Sequence, residues 1–123
     1  MIPLRVLVVE DHADTARILA RLMRASGHAV ETATTGAAAL ALAGEHVFDI
    51  VVSDLGLPDI TGYDLMRQIK EKYGTKGIAM SGYGLDEDIK RSGLAGFSEH
   101  LVKPIDFSQL EQAMRRVVAE GRE

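Results

Sequence analysis

Cysteine and tryptophan are absent from this 123-residue chain, and proline, tyrosine and phenylalanine occur only three times each. Without cysteine there is no disulfide, no thiolate metal centre and no thiol nucleophile. Such a chain suits a reducing compartment, and we expect a cytoplasmic location. No apolar run approaches the roughly 20 residues of a membrane-crossing helix. The stretch Leu4 to Val9 is also too short for a signal peptide, and acids follow it at once. No membrane contact is therefore expected. Positive charge is not in surplus either. Fourteen Lys and Arg against eighteen Asp and Glu give a net −4, which argues against a nucleic-acid surface. What is present is the balance of an ordinary globule, 46% hydrophobic and 26% charged. The length predicts one domain over residues 1–123, able to bury about two-thirds of its unfolded surface.

Two kinds of apolar pattern alternate along the chain. Leu4 to Val9 is a short, β-branched run of the sort that forms a strand buried on both faces. From Ala13 to Ser26 the period becomes helical, with Thr15, Ile18, Leu19, Leu22 and Met23 on one face and Gly27 as the stop. A strand over Ala29 to Ala33 and a helix over Ala37 to Ala43 follow. Phe48 to Ser53 is the next strong strand, ending at Asp54. Gly62 to Tyr73 is helical with Leu65, Met66 and Ile69 inward, and Lys76 to Ser81 is a fourth strand. A short polar helix covers about Asp86 to Ser92, and Phe97 to Val102 is the fifth strand. The last helix presents Phe107, Leu110, Met114, Val117 and Val118 on one face, with Asp106 or Ser108 at its start. Strand and helix repeated five times predict an α/β fold, a doubly wound five-stranded parallel sheet with five helices. In such folds ligands sit beyond the carboxyl ends of the strands.

Those ends carry Glu10 and Asp11, Asp54, Ser81 and Lys103. Any one of them alone is a solvated strand end. Together they place three carboxylates, a hydroxyl and an ammonium at one edge of the sheet. Crowded carboxylates repel, and a hard divalent cation relieves the repulsion; magnesium fits best. One carboxylate is then available as a nucleophile, while an ammonium and a hydroxyl hold phosphoryl oxygens. That is the equipment of phosphoryl transfer to a carboxylate, which needs positioning and charge neutralisation above all.

In this order and spacing the motifs resemble the receiver domain of two-component response regulators over essentially the whole chain. The matching residues are Glu10-Asp11, Asp54, the loop Leu57-Pro58-Asp59-Ile60-Thr61-Gly62, Ser81-Gly82 and Lys103-Pro104. The resemblance implies a flavodoxin-like receiver fold and a signalling domain rather than an enzyme, one that assists its own phosphorylation and dephosphorylation. Asp54 would accept a phosphoryl group from a histidine kinase or a histidine phosphotransfer domain. Asp11 and Asp54 would bind magnesium directly, with Glu10 helping through water and the Gly56 carbonyl as a further ligand. Ser81 and Lys103 would bind the phosphoryl group, Gly82 would keep the approach open, and the Lys103-Pro104 peptide would be cis. A weak homodimer is among the contacts the family makes. Gly56 stands where relatives often carry a larger residue. His100 stands where they carry the Tyr or Phe of a rotameric switch, and it is expected to turn inward when phosphorylation draws Ser81 toward Asp54. The runs Ser81-Gly82-Tyr83-Gly84 and Gly96 to Leu101 look most like receivers fused to hybrid sensor histidine kinases.

Three rivals fit less well. An aspartate-nucleophile, magnesium-dependent phosphohydrolase would want Asp-x-Asp after the first strand, where Glu10-Asp11-His12 stands, and a cap for which no sequence remains. A flavin module would want a hydroxyl- and glycine-rich loop there, not acids that repel phosphate. A non-phosphorylated interaction domain would not need the full set of pocket residues. Of the remaining polar residues, His12 reads as a surface residue at the start of the first helix. His28 and His46 are turn residues, and Lys70-Glu71-Lys72 and Arg115-Arg116 are solvated helix faces. Tyr83 is a loop aromatic that either stacks on a partner or covers apolar surface.

Overall fold

The computed structural model describes residues 2–82 and 86–120; Tyr83 lies outside the described residues. Five strands, β1 (Arg5–Val9), β2 (Ala29–Ala33), β3 (Ile50–Asp54), β4 (Lys76–Ser81) and β5 (Phe97–Val102), form one sheet. They alternate with helices α1 (Ala13–Ala25), α2 (Gly36–Glu45), α3 (Gly62–Tyr73), α4 (Asp86–Ala95) and α5 (Phe107–Glu120). Every strand pair is parallel, in the order β2-β1-β3-β4-β5. The chain therefore steps outward from β1 to β2 and then returns past β1 to β3. The crevice between β1 and β3 is the place where such folds bind ligands, and Glu10 and Asp54 stand on its two sides.

The alternation of side chains along each strand divides the core into two layers. Val6, Val8, Ile50, Val52, Ile78 and Met80 meet Leu19, Met23, Leu110, Met114 and Val117 of α1 and α5. Leu7, Val9, Val51, Ala79 and Phe97 meet Ala39, Ala43, Leu65, Met66 and Ile69 of α2 and α3. The four valine and leucine side chains of Val6 to Val9 are completely excluded from solvent. Each contributes about 1.5–3 kcal/mol by burial, and a charge introduced there would have no partner.

The first helix corrects one expected face. Its buried residues are Ala16, Leu19, Ala20 and Met23, whereas Thr15, Ile18 and Leu22 face outward. Ile18 is 56% exposed and Leu22 40%. Small alanines let α1 lie close to the sheet, and the bulkier aliphatic residues are left on the outside. Two other helix ends are defined by the structure. Asp106 accepts the N–H groups of Ser108 (2.8 Å) and Gln109 (3.4 Å), so it rather than Ser108 opens α5. α4 continues three residues past Ser92, to Ala95. His28 is a buried staple: its Nδ1 accepts the Leu4 N–H (3.0 Å), and Nε2 lies 3.2 Å from Glu111 Oε1. The turn before β2 is thus fastened to the residue that leads into β1 and to α5.

Candidate phosphoacceptor site

Asp54 is the last residue of β3 and 7% exposed. The chain leaves it through backbone bonds from Leu55 N to Met80 O (3.1 Å) and from Gly62 N to Leu55 O (2.9 Å). The second bond folds the Leu57 to Gly62 loop back under the carboxylate. A Cβ on Gly62 would collide with the Asp54 carbonyl oxygen and stand 2.7 Å from Leu55 Cα, so only glycine permits this approach. Gly62→Ala is therefore expected to push the loop after Asp54 away. Urea unfolding should show a loss of about 1–3 kcal/mol, and phosphoryl acceptance should slow with it.

The same loop supplies a cap for a different helix. Asp59 accepts the N–H groups of Gly36 and Ala37, both at 2.8 Å, at the start of α2. These bonds hold its carboxyl below the usual carboxylate range. The carboxylate also faces the positive end of the helix dipole. Asp59 thus ties the loop after Asp54 to the α2 side of the molecule.

Lys103 joins the acids. Its Nζ donates to Asp54 Oδ2 at 2.8 Å and to Glu10 Oε1 at 3.0 Å, while its own backbone N–H bonds to Ser81 O at 2.7 Å. The peptide that follows, Lys103-Pro104, is cis. Gly56 N donates to Asp54 Oδ1 at 3.3 Å. Glu10 is 1% exposed, and its second oxygen, Oε2, has no hydrogen-bond partner among the described residues. Burial, then the neighbouring Asp54 carboxylate, raise the Glu10 carboxyl above its ordinary range, against the pull of Lys103. Burial also pushes Asp54 upward, but Glu10 and Lys103 together outweigh it and leave Asp54 lowered. Glu10 therefore retains a proton more readily, and Asp54 is the carboxylate kept ionised.

Asp11 and His12 complete the acidic side. His12 Nδ1 lies 3.3 Å from Asp11 Oδ1 and 3.7 Å from Glu10 Oε2. Ligand atoms of Glu10, Asp11 and His12 all fall within 4.8 Å of one another, an arrangement that could hold a metal ion. His12 is an exposed residue at the start of α1, as the sequence suggests, yet it reaches the acids. An open pocket of about 380 Å³ runs over this edge, lined by Asp11, His12, Asp54, Gly56, Ser81 and Gly82 among others. A Cβ on Gly56 or Gly82 would meet nothing within 4 Å, so both leave the mouth unfilled.

Ser81 and His100 touch directly in this state. Ser81 Oγ is 2.6 Å from His100 Nε2, and His100 Nδ1 is 3.2 Å from Ser92 Oγ on α4. The imidazole, expected to turn inward on phosphorylation, is thus already bonded to Ser81. The pocket's outer rim was not foreseen from sequence. There the Arg91 guanidinium sits 4.2 Å from the centre of the Tyr63 ring, with Asp88 beside them. Their spacing in sequence gives no hint of this, because α3 and α4 meet only in the folded chain.

Comparison with known proteins agrees with this geometry. The family model described as response regulator receiver domain matches residues 6–115. The virulence sensor protein BvgS of Bordetella pertussis is 36% identical over 98% of this chain, which spans 10% of that protein. The transcriptional regulatory protein KdpE of Mycobacterium tuberculosis is 33% identical over 92% of this chain and 50% of its own length. The chain therefore spans a tenth to a half of these relatives. Among solved structures, the chemotaxis protein CheY4 of Vibrio cholerae superposes with a TM-score of 0.89 at 27% identity, covering 94% of this chain and 99% of that one. The beryllofluoride-activated DrrB receiver domain superposes with a TM-score of 0.85 at 28% identity, covering 96% and 99%. By fold, by the match along nearly its whole length and by the residues at its sheet edge, this chain belongs to the response regulator receiver domain family.

Proposed function

We propose that this domain takes a phosphoryl group from a phosphohistidine donor onto Asp54 in a magnesium-dependent phosphorelay. The observation that carries the reading is Asp54 itself. It is an ionised carboxylate at the end of the central strand, held by Lys103 at 2.8 Å and open to the pocket. In the transfer a carboxylate oxygen of Asp54 bonds to phosphorus as the phosphorus–nitrogen bond to the donor histidine breaks. The imidazole then leaves with the electron pair and takes up a proton. Lys103 and Ser81 hold the equatorial phosphoryl oxygens.

The residues fit a divalent cation. Glu10, Asp11 and Asp54 against Lys103 leave an excess of negative charge, and the buried Oε2 of Glu10, which accepts no hydrogen bond among the described residues, is an oxygen suited to a cation. Asp11 and Asp54 would hold magnesium with the Gly56 carbonyl, and Glu10 would assist. When bound, the ion neutralises both the carboxylates and the incoming phosphoryl oxygens. The test is intact mass after incubation with a small phosphodonor. A gain of one phosphoryl group is expected with magnesium and none after chelation; gain in both would reject the metal-dependent reading.

The donor has a surface to approach. Ile18, Leu22, Pro104, Ile105 and Phe107 line a groove of about 490 Å³ that also reaches Glu10 and Lys103. A helical histidine kinase or phosphotransfer domain laid there would bring its phosphohistidine to the Asp54 edge. Ile18→Glu is expected to cut transfer from such a donor at least tenfold, a cost of about 1.4 kcal/mol, and to leave labelling by a small phosphodonor unchanged. Equal loss with both donors would place the damage in the pocket instead. The similarity to a sensor protein favours a receiver attached to a hybrid sensor histidine kinase, which the flanking reading frame would test. Such a domain would work in the cytoplasm; among the described residues no helix is long and apolar enough to cross a membrane. A weak homodimer would use the exposed Ile89, Leu94 and Val102 of α4 and β5.

A further inference from the structure

We propose that Glu10, Asp11 and His12 form a binding site for a nitrogen-seeking divalent cation of the zinc class, which competes with magnesium for Asp11 and so holds back phosphoryl acceptance. The competition rests on the magnesium-dependent reading of Asp54; the binding of the zinc-class ion does not.

The site starts from a misfit in the sequence. His12 occupies the N-cap of α1. That position favours Ser, Thr, Asp or Asn, whose side chains bond the first free N–H groups of a helix. The His12 side chain makes no such bond. Its Nδ1 lies instead 3.3 Å from Asp11 Oδ1 and 3.7 Å from Glu10 Oε2. The Glu10 oxygen is an independent sign of a cation. Glu10 is 1% exposed, its Oε1 accepts from Lys103, and its Oε2 has no hydrogen-bond partner among the described residues. The lysine thus serves one oxygen, and the other is left to the His12 side.

Spacing distinguishes the two ions. Zinc holds nitrogen and oxygen ligands at about 2.0–2.2 Å in a tetrahedron, whose corners are then about 3.3–3.6 Å apart. Magnesium takes octahedral oxygens at about 2.0–2.1 Å, with neighbouring corners only about 2.8–3.0 Å apart. The two distances from Nδ1 match the tetrahedron more closely, and the three ligand atoms fall within 4.8 Å of one another. Ligand type agrees, because imidazole suits zinc, nickel and copper, whereas magnesium keeps to oxygen. The His12 side chain is 74% exposed, so the remaining coordination position faces water. Asp54 is outside this set, on the other side of the β1–β3 crevice and held by Lys103. Asp11 is the residue that both ions need, magnesium with Asp54 and the zinc-class ion with Glu10 and His12. Binding one therefore excludes the other.

Calorimetric titration with zinc chloride and with magnesium chloride separates the two. Wild type should bind zinc at least about tenfold more tightly than magnesium. His12→Ala should weaken zinc at least about tenfold and change magnesium by less than about twofold, since an oxygen-seeking ion does not use the imidazole. Asp54→Asn should weaken magnesium more than zinc. In proton NMR of the wild type, zinc should move the ring signals of His12 first among the four histidines. With magnesium held constant, zinc should slow acceptance from a small phosphodonor at concentrations that do not slow His12→Ala, and added magnesium should restore the rate. Zinc binding that survives His12→Ala, or that falls as far as magnesium binding in Asp54→Asn, would overturn the proposal. So would an absence of zinc binding, which would leave His12 as an ion-pair partner of Asp11 alone. Zinc bound at His12 without any slowing of acceptance would overturn the competition. A protein that never accepts phosphate in zinc-free magnesium would refute the phosphoacceptor reading, while the zinc titrations would still decide the site.

Discussion

Asp54→Asn should reduce phosphoryl acceptance to background while leaving the protein folded. The amide oxygen is a far weaker nucleophile than a carboxylate, and no neighbour can take over. Glu10 is 1% exposed, keeps its proton more readily than an ordinary glutamate and is turned to Lys103. Asp11 lies on the His12 side of the pocket. The stability effect should be small because two contributions oppose. Asp54 is lowered, so its ionised form favours the fold at neutral pH, and that contribution is lost as pH falls through its folded value. Glu10 is raised, so its ionisation disfavours the fold, and removing the Asp54 charge relieves it. Intact mass after phosphodonor treatment and circular dichroism of the variant check both halves. Labelling of the variant at the wild-type rate would place the acceptor elsewhere.

Lys103→Ala should have the second largest effect, on both rate and stability. The ammonium holds two carboxylates that burial already disfavours, and without it Glu10 and Asp54 face each other unscreened. Lys103 is 30% exposed, so water replaces part of what is lost; we expect about 1–3 kcal/mol of destabilisation at neutral pH. The pH dependence has a definite sign. Desolvation lowers the Lys103 ammonium, but its bonds to Asp54 and Glu10 outweigh this and raise it. In the wild type its contribution is therefore complete below the ordinary lysine value and is lost only above it. In the variant the deficit should shrink toward acid pH, as Glu10 takes a proton and the repulsion ends. Urea unfolding at about pH 7 and about pH 5 would read this directly. Acceptance should also slow about 10²–10³-fold, the usual cost of removing one preorganised charge-stabilising donor. A deficit that grew on acidification would contradict the assigned role.

The sheet, and the gathering of acids, a serine and a lysine at its carboxyl edge, were largely legible in the sequence because they depend on local pattern. Val6 to Val9 is an apolar run that ends at Glu10, Ile50 to Val52 one that ends just before Ser53 and Asp54, and Asp54, Ser81 and Lys103 fall at or next to strand ends. The topology that brings these ends together follows from strand–helix alternation alone. The α1 face was misjudged because Ile18 and Leu22 outweigh Ala16 and Ala20 in any hydrophobic count, whereas the fold uses the small residues for close approach. The function of Asp59 as a cap for α2, the fastening of His28 to Leu4 and Glu111, and the bond from His100 to Ser92 all join segments distant in sequence or cross between elements. No periodicity carries such pairings. They need the packed chain.

The most direct test of the central claim is to map the bond itself. The domain would be phosphorylated by a phosphohistidine donor in magnesium, reduced with borohydride and digested. Reduction converts an aspartyl phosphate to homoserine and leaves free carboxylates unchanged. We predict homoserine at position 54 and at no other aspartate. Homoserine at position 11, or none under conditions in which the donor loses its phosphoryl group, would contradict the account.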